Sequence, residues 1–249
     1  MILKLPFSFR VAAVLVPAVA LVLSASTVAK ADVPPAPADS KDVKAALTLA
    51  FTEAFNTPED KVLGVGWTRA AHYGIVNEYI EHHRLYFEIP NGMDIPWGSA
   101  TLDLGDPSIL GHGLQPGDYF EVTLRRLSEE GGLGVELFDS DQLRVGSDLT
   151  PGASALMAWN GKTWVPIAFD KHGKPLKFNW DRTHTIGVRF DSTDGHSAHF
   201  SYYLDGHYAG SWTVNRPETV LQKIGVYTQS KTGNARFEFW DLKVYASEH

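Results

Sequence analysis

The densest run of acids in the chain is Glu136-Leu137-Phe138-Asp139-Ser140-Asp141. Two carboxylates on one face of a strand can flank a glycosidic bond, because alternate side chains of a strand point the same way. This spacing puts Glu136 and Asp139 on opposite faces, so the run does not supply that pair and reads as a strand end entering a polar turn. Further on, Lys223-Ile224-Gly225-Val226-Tyr227-Thr228-Gln229 sets Gly225, Tyr227 and Gln229 on one face, opposite Ile224 and Val226. The ten histidines include His82-His83 and His196-x-x-His199. Neither pair brings the third ligand that zinc requires, so no metal is assigned. There is no phosphate-binding glycine loop, nucleophile elbow or dinucleotide fingerprint.

Seven tryptophans and nine tyrosines suit a surface that stacks on sugar rings, whose C–H faces are apolar. Trp159, Trp164, Trp180 and Trp212 fall at or near hairpins and loops. Tyr86, Tyr203 and Tyr227 point away from the expected core.

These side chains must be held by strands. Residues 84–89 alternate, with Leu85, Phe87 and Ile89 on one face and Tyr86 and Glu88 on the other. Residues 119–125 turn Phe120, Val122 and Leu124 inward and Glu121, Thr123 and Arg125 outward. Residues 133–138 turn Leu133, Val135 and Leu137 inward and Glu136 outward. Residues 184–190 do the same with Ile186, Val188 and Phe190 against Arg189. One dry face and one wet face is the pattern of antiparallel sheets. Asn160-Gly161 and Asp205-Gly206 are two-residue hairpin turns, and Asp194-Gly195 marks another turn. About a dozen short strands without alternating helices imply a β-sandwich or barrel.

The chain start differs. Lys4 and Arg10 precede an uncharged run over residues 11–23, and Ala29-Lys30-Ala31 follows small residues. That order predicts a signal peptide over 1–31, cleaved after Ala31. The apolar run is shorter than the ~20 residues of a spanning helix, which disfavours the alternative of an uncleaved anchor, and no later segment is apolar enough to span a bilayer. Residues 32–40 read as a Pro/Ala-rich tether. Val43, Leu47, Ala50, Phe51 and Ala54 recur at helical spacing and predict an amphipathic helix over 40–56. The protein has no cysteine, so an exported chain must be held by its core alone. Its net charge of −7 becomes more acidic when Lys4, Arg10 and Lys30 are removed, which argues against nucleic acid and anionic membrane surfaces as partners.

The C-terminal third resembles the concanavalin A-like lectin/glucanase superfamily. The resemblance covers residues 181–245: one strand, a strand-Asp205-Gly206-strand hairpin, the Ile224-Gly225-Val226-Tyr227 strand, and a closing strand that begins Ala235-Arg236-Phe237. It implies an all-β jelly-roll sandwich over 61–249, behind a short N-terminal helix. It identifies a fold better than a function, since the superfamily holds lectins, hydrolases, lyases and non-catalytic modules. A weaker likeness to alginate-lyase-type polysaccharide lyases rests on Lys-x-Gly-x-Tyr-x-Gln at 223–229. It implies Tyr227 as acid or base, with Arg125, Arg189 or a histidine facing a uronate. The lyases' Arg-Ser-Glu-Leu-Arg and Gln-Ile-His strands are missing here.

The leading expectation is an exported, periplasmic or secreted protein that binds a polysaccharide or oligosaccharide on the concave sheet. Glu88, Glu121, Arg125, Gln229, Trp159 and Trp180 are the expected contacts, and Tyr227, Arg189 and Glu136 would carry any chemistry. Arg189 and Tyr227 are expected to share one open trough. A lyase or glycoside hydrolase of the same fold, and an envelope protein with a protein partner, remain open. No cofactor is expected, although the superfamily allows a structural calcium among loop carboxylates such as Asp139, Asp141, Asp191 and Asp194.

Overall fold

A computed structural model describes residues 39–56, 63–71, 77–90, 97–138, 143–147, 149, 152–159, 163–215, 221–231 and 233–248. The expected signal peptide, the Asn160-Gly161 turn, Asp139 and Asp141 lie outside these residues. One short helix, α1 (Ser40–Lys44), precedes the strands. In chain order the first strands are β1 (Thr48–Glu53), β2 (Trp67–Ala71), β3 (Asn77–Glu81), β4 (Arg84–Ile89), β5 (Trp97–Asp103) and β6 (Tyr119–Arg126). They continue as β7 (Gly132–Phe138), β8 (Leu143–Gly146), β9 (Ala153–Ala155), β10 (Met157–Trp159), β11 (Trp164–Pro166) and β12 (Lys177–Asn179). The last are β13 (His184–Thr193), β14 (Ser197–Leu204), β15 (His207–Asn215), β16 (Lys223–Gln229) and β17 (Ala235–Ala246).

An eight-stranded sheet runs β15-β14-β13-β6-β17-β4-β3, with β1 also paired to β17. A seven-stranded sheet runs β11-β10-β8-β7-β16-β5-β2, and β9 and β12 form a small ribbon. Period-two alternation builds the core between the two large sheets. Phe120, Val122, Ile186, Val188, Phe237 and Phe239 of one sheet and Val135, Leu137, Ile224, Val226, Ala100 and Leu102 of the other are buried in one apolar cluster. Fully burying each such Val, Ile, Leu or Phe is worth roughly 1.5–3 kcal/mol. This all-β sandwich is the expected fold.

The expected helix over 40–56 is corrected. It stops after Lys44, and residues 48–53 become β1. The reason lies in β17. Its first half, Ala235 to Phe239, pairs with β4. Asp241 then takes a left-handed φ of 56°, and the register shifts between Trp240 and Lys243. Beyond that bulge the edge of β17 facing β4 would be bare from Leu242 to Ala246. β1 covers it, from Glu53 opposite Leu242 to Thr48 opposite Ala246. Satisfying a row of backbone groups outweighs a helical stripe in a short segment whose isolated helix is marginal. The segment is pinned where Ser40 N–H donates to Gly206 O at 2.7 Å and where Lys44 pairs with Glu121.

One buried charge organises the end of the sandwich. The Arg126 side chain is 0 % exposed. Its Nε donates to Asp181 Oδ1 at 2.9 Å, and its two terminal nitrogens donate to Gly131 O at 3.1 Å and Gly152 O at 2.7 Å. The guanidinium ties β6 to three loops. Removing it strands buried acceptors, so Arg126→Ala is expected to lower unfolding stability by about 3 kcal/mol or more. Arg126→Lys should recover only part. Urea denaturation monitored by tryptophan fluorescence reads both.

Candidate functional site

The outer face of the seven-stranded sheet is built from lateral rows set by strand register. One row crosses all seven strands: Thr68, Thr101, Gly225, Glu136, Arg144, Trp159 and Trp164. The neighbouring row holds Ser99, Tyr227, Gly134, Gly146 and Met157. Gly134 and Gly146 leave a flat strip in that second row. Tyr227 lies down across it: a Cβ on Gly134 would come within 2.7 Å of Tyr227 Cε1. An aromatic ring laid over a cross-strand glycine buries surface that the glycine cannot cover itself. Tyr227 is 2 % exposed, and its hydroxyl donates to Ser147 O at 3.2 Å.

Aromatic rings close over this strip. Trp164 lies 5.8 Å from the Tyr227 ring at 32°, and Trp159 lies 5.6 Å from Trp164. Three strands separate β11 from β16, about 19 Å in a flat sheet. Rings this close therefore require the sheet to curl, with its outer face concave. The Arg144 guanidinium sits 5.5 Å from both the Trp97 and the Tyr227 rings, within cation–π range. Trp97, Trp159, Trp164, Arg144 and Gln229 are each partly exposed along this hollow.

Glu136 lies beneath them, fully buried and ion-paired through Oε1 to Arg144 Nε. Gly225 beside it has no side chain to block its path. The Glu136 Oε2 has no hydrogen-bond partner. Burial pushes the Glu136 carboxyl up to about 7, against the opposing pull of Arg144 and the lesser one of Ser99.

The expected residues divide between two faces. Tyr227, Glu136, Gln229 and Trp159 lie on this concave face. Glu88, Glu121, Arg125 and Arg189 lie on the outer face of the eight-stranded sheet, so the shared trough of Arg189 and Tyr227 is corrected. Side-chain parity fixes which residues face outward, but it does not say which sheet a strand joins. Trp180 is also corrected: it is 0 % exposed, and its indole N–H donates to Ser154 O within the core.

The eight-stranded face neutralises itself. Glu121 takes Lys44 at 2.9 Å together with the Tyr119 and Tyr245 hydroxyls. Glu238 lies between Arg84 at 2.8 Å and Arg125 at 2.6 Å, and Glu88 pairs with Arg236 at 3.1 Å. Arg189 faces Asp191 at 3.7 Å, and Asp191 accepts the Ser201 hydroxyl. Asp194 closes its turn by accepting the His196 and Ser197 N–H groups, which lower its carboxyl to about 2. Among the described residues, no three His, Asp or Glu side chains are grouped to hold a metal.

Trp97 and Arg144 escaped the expected site. Their signals were present, since Leu143-Arg144-Val145 and Trp97-Gly98-Ser99-Ala100-Thr101-Leu102 both alternate. These runs are short and border turn-rich sequence, which hid them.

No family model matches the sequence, and no curated protein matches it. Solved structures do. An endo-acting O-glycanase of the human gut microbiota aligns over 81 % of this chain and 100 % of its own, with a TM-score of 0.54 and 13 % identity. The Emp47p carbohydrate recognition domain aligns over 82 % of this chain and 98 % of its own, with a TM-score of 0.50 and 17 % identity. A carbohydrate esterase from the Shiga toxin-encoding bacteriophage phi24B gives 0.50 at 13 % identity, over 81 % and 100 %. The fold is a concanavalin A-like jelly roll. At these identities the likeness is one of fold, and the concave face must be read from its own residues.

Glu136 gives that face a pH signature. A carboxyl that holds its proton more tightly when folded favours the fold most at low pH. Between about 4.5 and 7 the unfolded chain has released a proton that the folded chain keeps, so this contribution to stability falls as pH rises and is flat above that window. Glu78, buried on β3 and paired with Arg69 at 2.9 Å, is likewise raised by burial to about 7. Thermal unfolding from pH 4.5 to 7.5 should therefore show a smaller loss of Tm in Glu136→Gln than in the parent. Glu78→Gln should remove a second, separate part of the slope.

Proposed function

We propose that this chain is an exported carbohydrate-recognising protein that binds a polysaccharide along the concave face of its seven-stranded sheet, in the periplasm or outside the cell. The observation that carries this reading is the wall of Trp97, Trp159 and Trp164 around Arg144 and the buried Glu136 it pairs with. Indole faces accept the C–H faces of sugar rings, and the neighbouring polar groups orient hydroxyls. The carbohydrate roles named for the structural neighbours support the reading through the shared fold.

Cleavage of the bound polymer is the second reading, favoured by one observation. A carboxyl raised to about 7 is poised as a general acid near neutrality. It needs a second carboxylate across the glycosidic bond. Glu136 is also covered and held by Arg144, which favours binding without cleavage.

Affinity gel electrophoresis against a panel of polysaccharides, followed by sizing of each polymer, tests the proposal. One class of glycan should retard the protein and keep its length. Trp164→Ala should weaken that retardation by about tenfold or more. Arg189→Ala, on the opposite sheet, should leave it unchanged. Shortened polymer would establish cleavage: new absorbance near ~235 nm would mark elimination of a uronide, and reducing ends without it would mark hydrolysis. Retention that survives Trp164→Ala but fails in Arg189→Ala would move the site to the other face. Absence of any glycan retention would reject the proposal.

A further inference from the structure

The hairpin that joins β11 to β12 carries a surface unlike the rest of the molecule. Of the five large apolar side chains exposed among the described residues, two face solvent on this one hairpin, Phe169 at 48 % and Leu176 at 41 %. They are neighbours across it. Phe169 bridges to Pro175, and Leu176 N–H donates to Ala168 O at 2.9 Å. Around them Lys171, His172, Lys174 and Lys177 are all exposed. None of these lysines has an ion-pair partner among the described residues. The protein as a whole carries −7, from which no anionic membrane contact is expected; this hairpin departs from that expectation as a local cationic patch on an acidic molecule.

The protrusion is also rigid. Asp170 Oδ1 accepts the N–H groups of His172 at 2.8 Å and Lys174 at 2.9 Å, and Asp170 N–H donates to Lys174 O at 2.9 Å. At its base Ile167 and Ala168 are buried in the core, and β12 pairs with β9. A preformed loop does not have to be ordered when it meets a surface, which lowers the cost of contact.

We propose that this hairpin is a membrane-surface contact, with Phe169 and Leu176 entering the interface of an anionic phospholipid bilayer while Lys171, Lys174 and Lys177 meet its headgroups. Charge complementarity selects the partner: unpaired lysines favour an anionic leaflet, and two adjacent exposed apolar side chains favour a lipid interface over a purely aqueous polyanion. Neither feature by itself holds a protein on a bilayer, and the two together make a weak, reversible, salt-sensitive attachment. The contact uses none of the residues assigned to the glycan face, although β11 carries both Trp164 and the start of this hairpin.

Co-sedimentation of the purified protein with vesicles tests it. Vesicles of phosphatidylcholine with about one-third phosphatidylglycerol should bind the protein at low salt, and pure phosphatidylcholine should bind far less. Lys171→Glu/Lys174→Glu should abolish binding. Phe169→Ser/Leu176→Ser should weaken it about tenfold or more while leaving the far-UV circular dichroism unchanged. No binding to the anionic vesicles, or equal binding by both double variants and the parent, would overturn the proposal. So would binding of soluble dextran sulfate that needs the lysines and is as tight as vesicle binding, with Phe169→Ser/Leu176→Ser as effective as the parent on vesicles.

Discussion

Everything in this molecule depends on two sheets burying their apolar faces against each other while the chain passes repeatedly between them. β4 belongs to one sheet and β5 to the other; β6 and β7 divide the same way, as do β16 and β17. Each crossing puts residues close in sequence on opposite sides of the core. Tyr227 and Glu238 stand on consecutive strands, β16 and β17, but lie on opposite outer faces. Two strand glycines on these outer faces are covered by tyrosines. Tyr227 lies over Gly134 on the concave face, and Tyr119 lies over Gly187 on the other, where a Cβ would collide with the Tyr119 hydroxyl. The same packing rule thus buries two tyrosines that alternation alone would leave in water.

That rule explains how much of the structure the sequence reveals. Alternation in β4, β6, β7, β13 and β16 separates inward from outward residues, because period two is enforced by the backbone. Asp205-Gly206 forms its hairpin with φ of 53° and 85°, the left-handed pair such a turn requires. His82-His83 makes the same kind of turn between β3 and β4 with φ of 49° and 60°, and no glycine announces it. β1 is hidden because its pairing is decided by a bulge at Asp241, almost two hundred residues away in sequence. Trp180 resembles a surface aromatic beside loop residues, but the 152–154 segment covers it and accepts its N–H. Arg126 resembles a solvated strand end and is instead a buried hub, because the acceptors it serves come from three separate loops. For β1, Trp180 and Arg126 at least one deciding partner lies far along the chain, so no local window contains it.

The two outer faces show how charge can be abundant yet unavailable. On the eight-stranded sheet, arginines and glutamates alternate across neighbouring strands and satisfy one another, with Glu238 gripped by Arg84 and Arg125 and only 1 % exposed. A ligand would have to break those pairs to use them, and losing one partner of a buried pair is costly. On the concave face Arg144 holds the buried Glu136 among half-exposed indoles, so this part of the surface is largely aromatic. Composition makes the two faces look alike, and pairing makes them different.

The placement of Tyr227 bears on which chemistry such a face can perform. An acid or base in β-elimination must present its hydroxyl to the sugar. The Tyr227 hydroxyl donates inward to Ser147 O, while the ring lies in the Gly134 slot with Trp164 and Arg144 over it. Reaching a substrate would mean leaving that slot and uncovering the glycine strip. Arg189, the group expected to neutralise a uronate, stands on the opposite sheet. Tyr227 therefore serves as the floor on which Arg144 and Trp164 are seated, and it fixes the spacing of the aromatic wall above it. A face organised in this way seats its aromatic side chains on a packed floor.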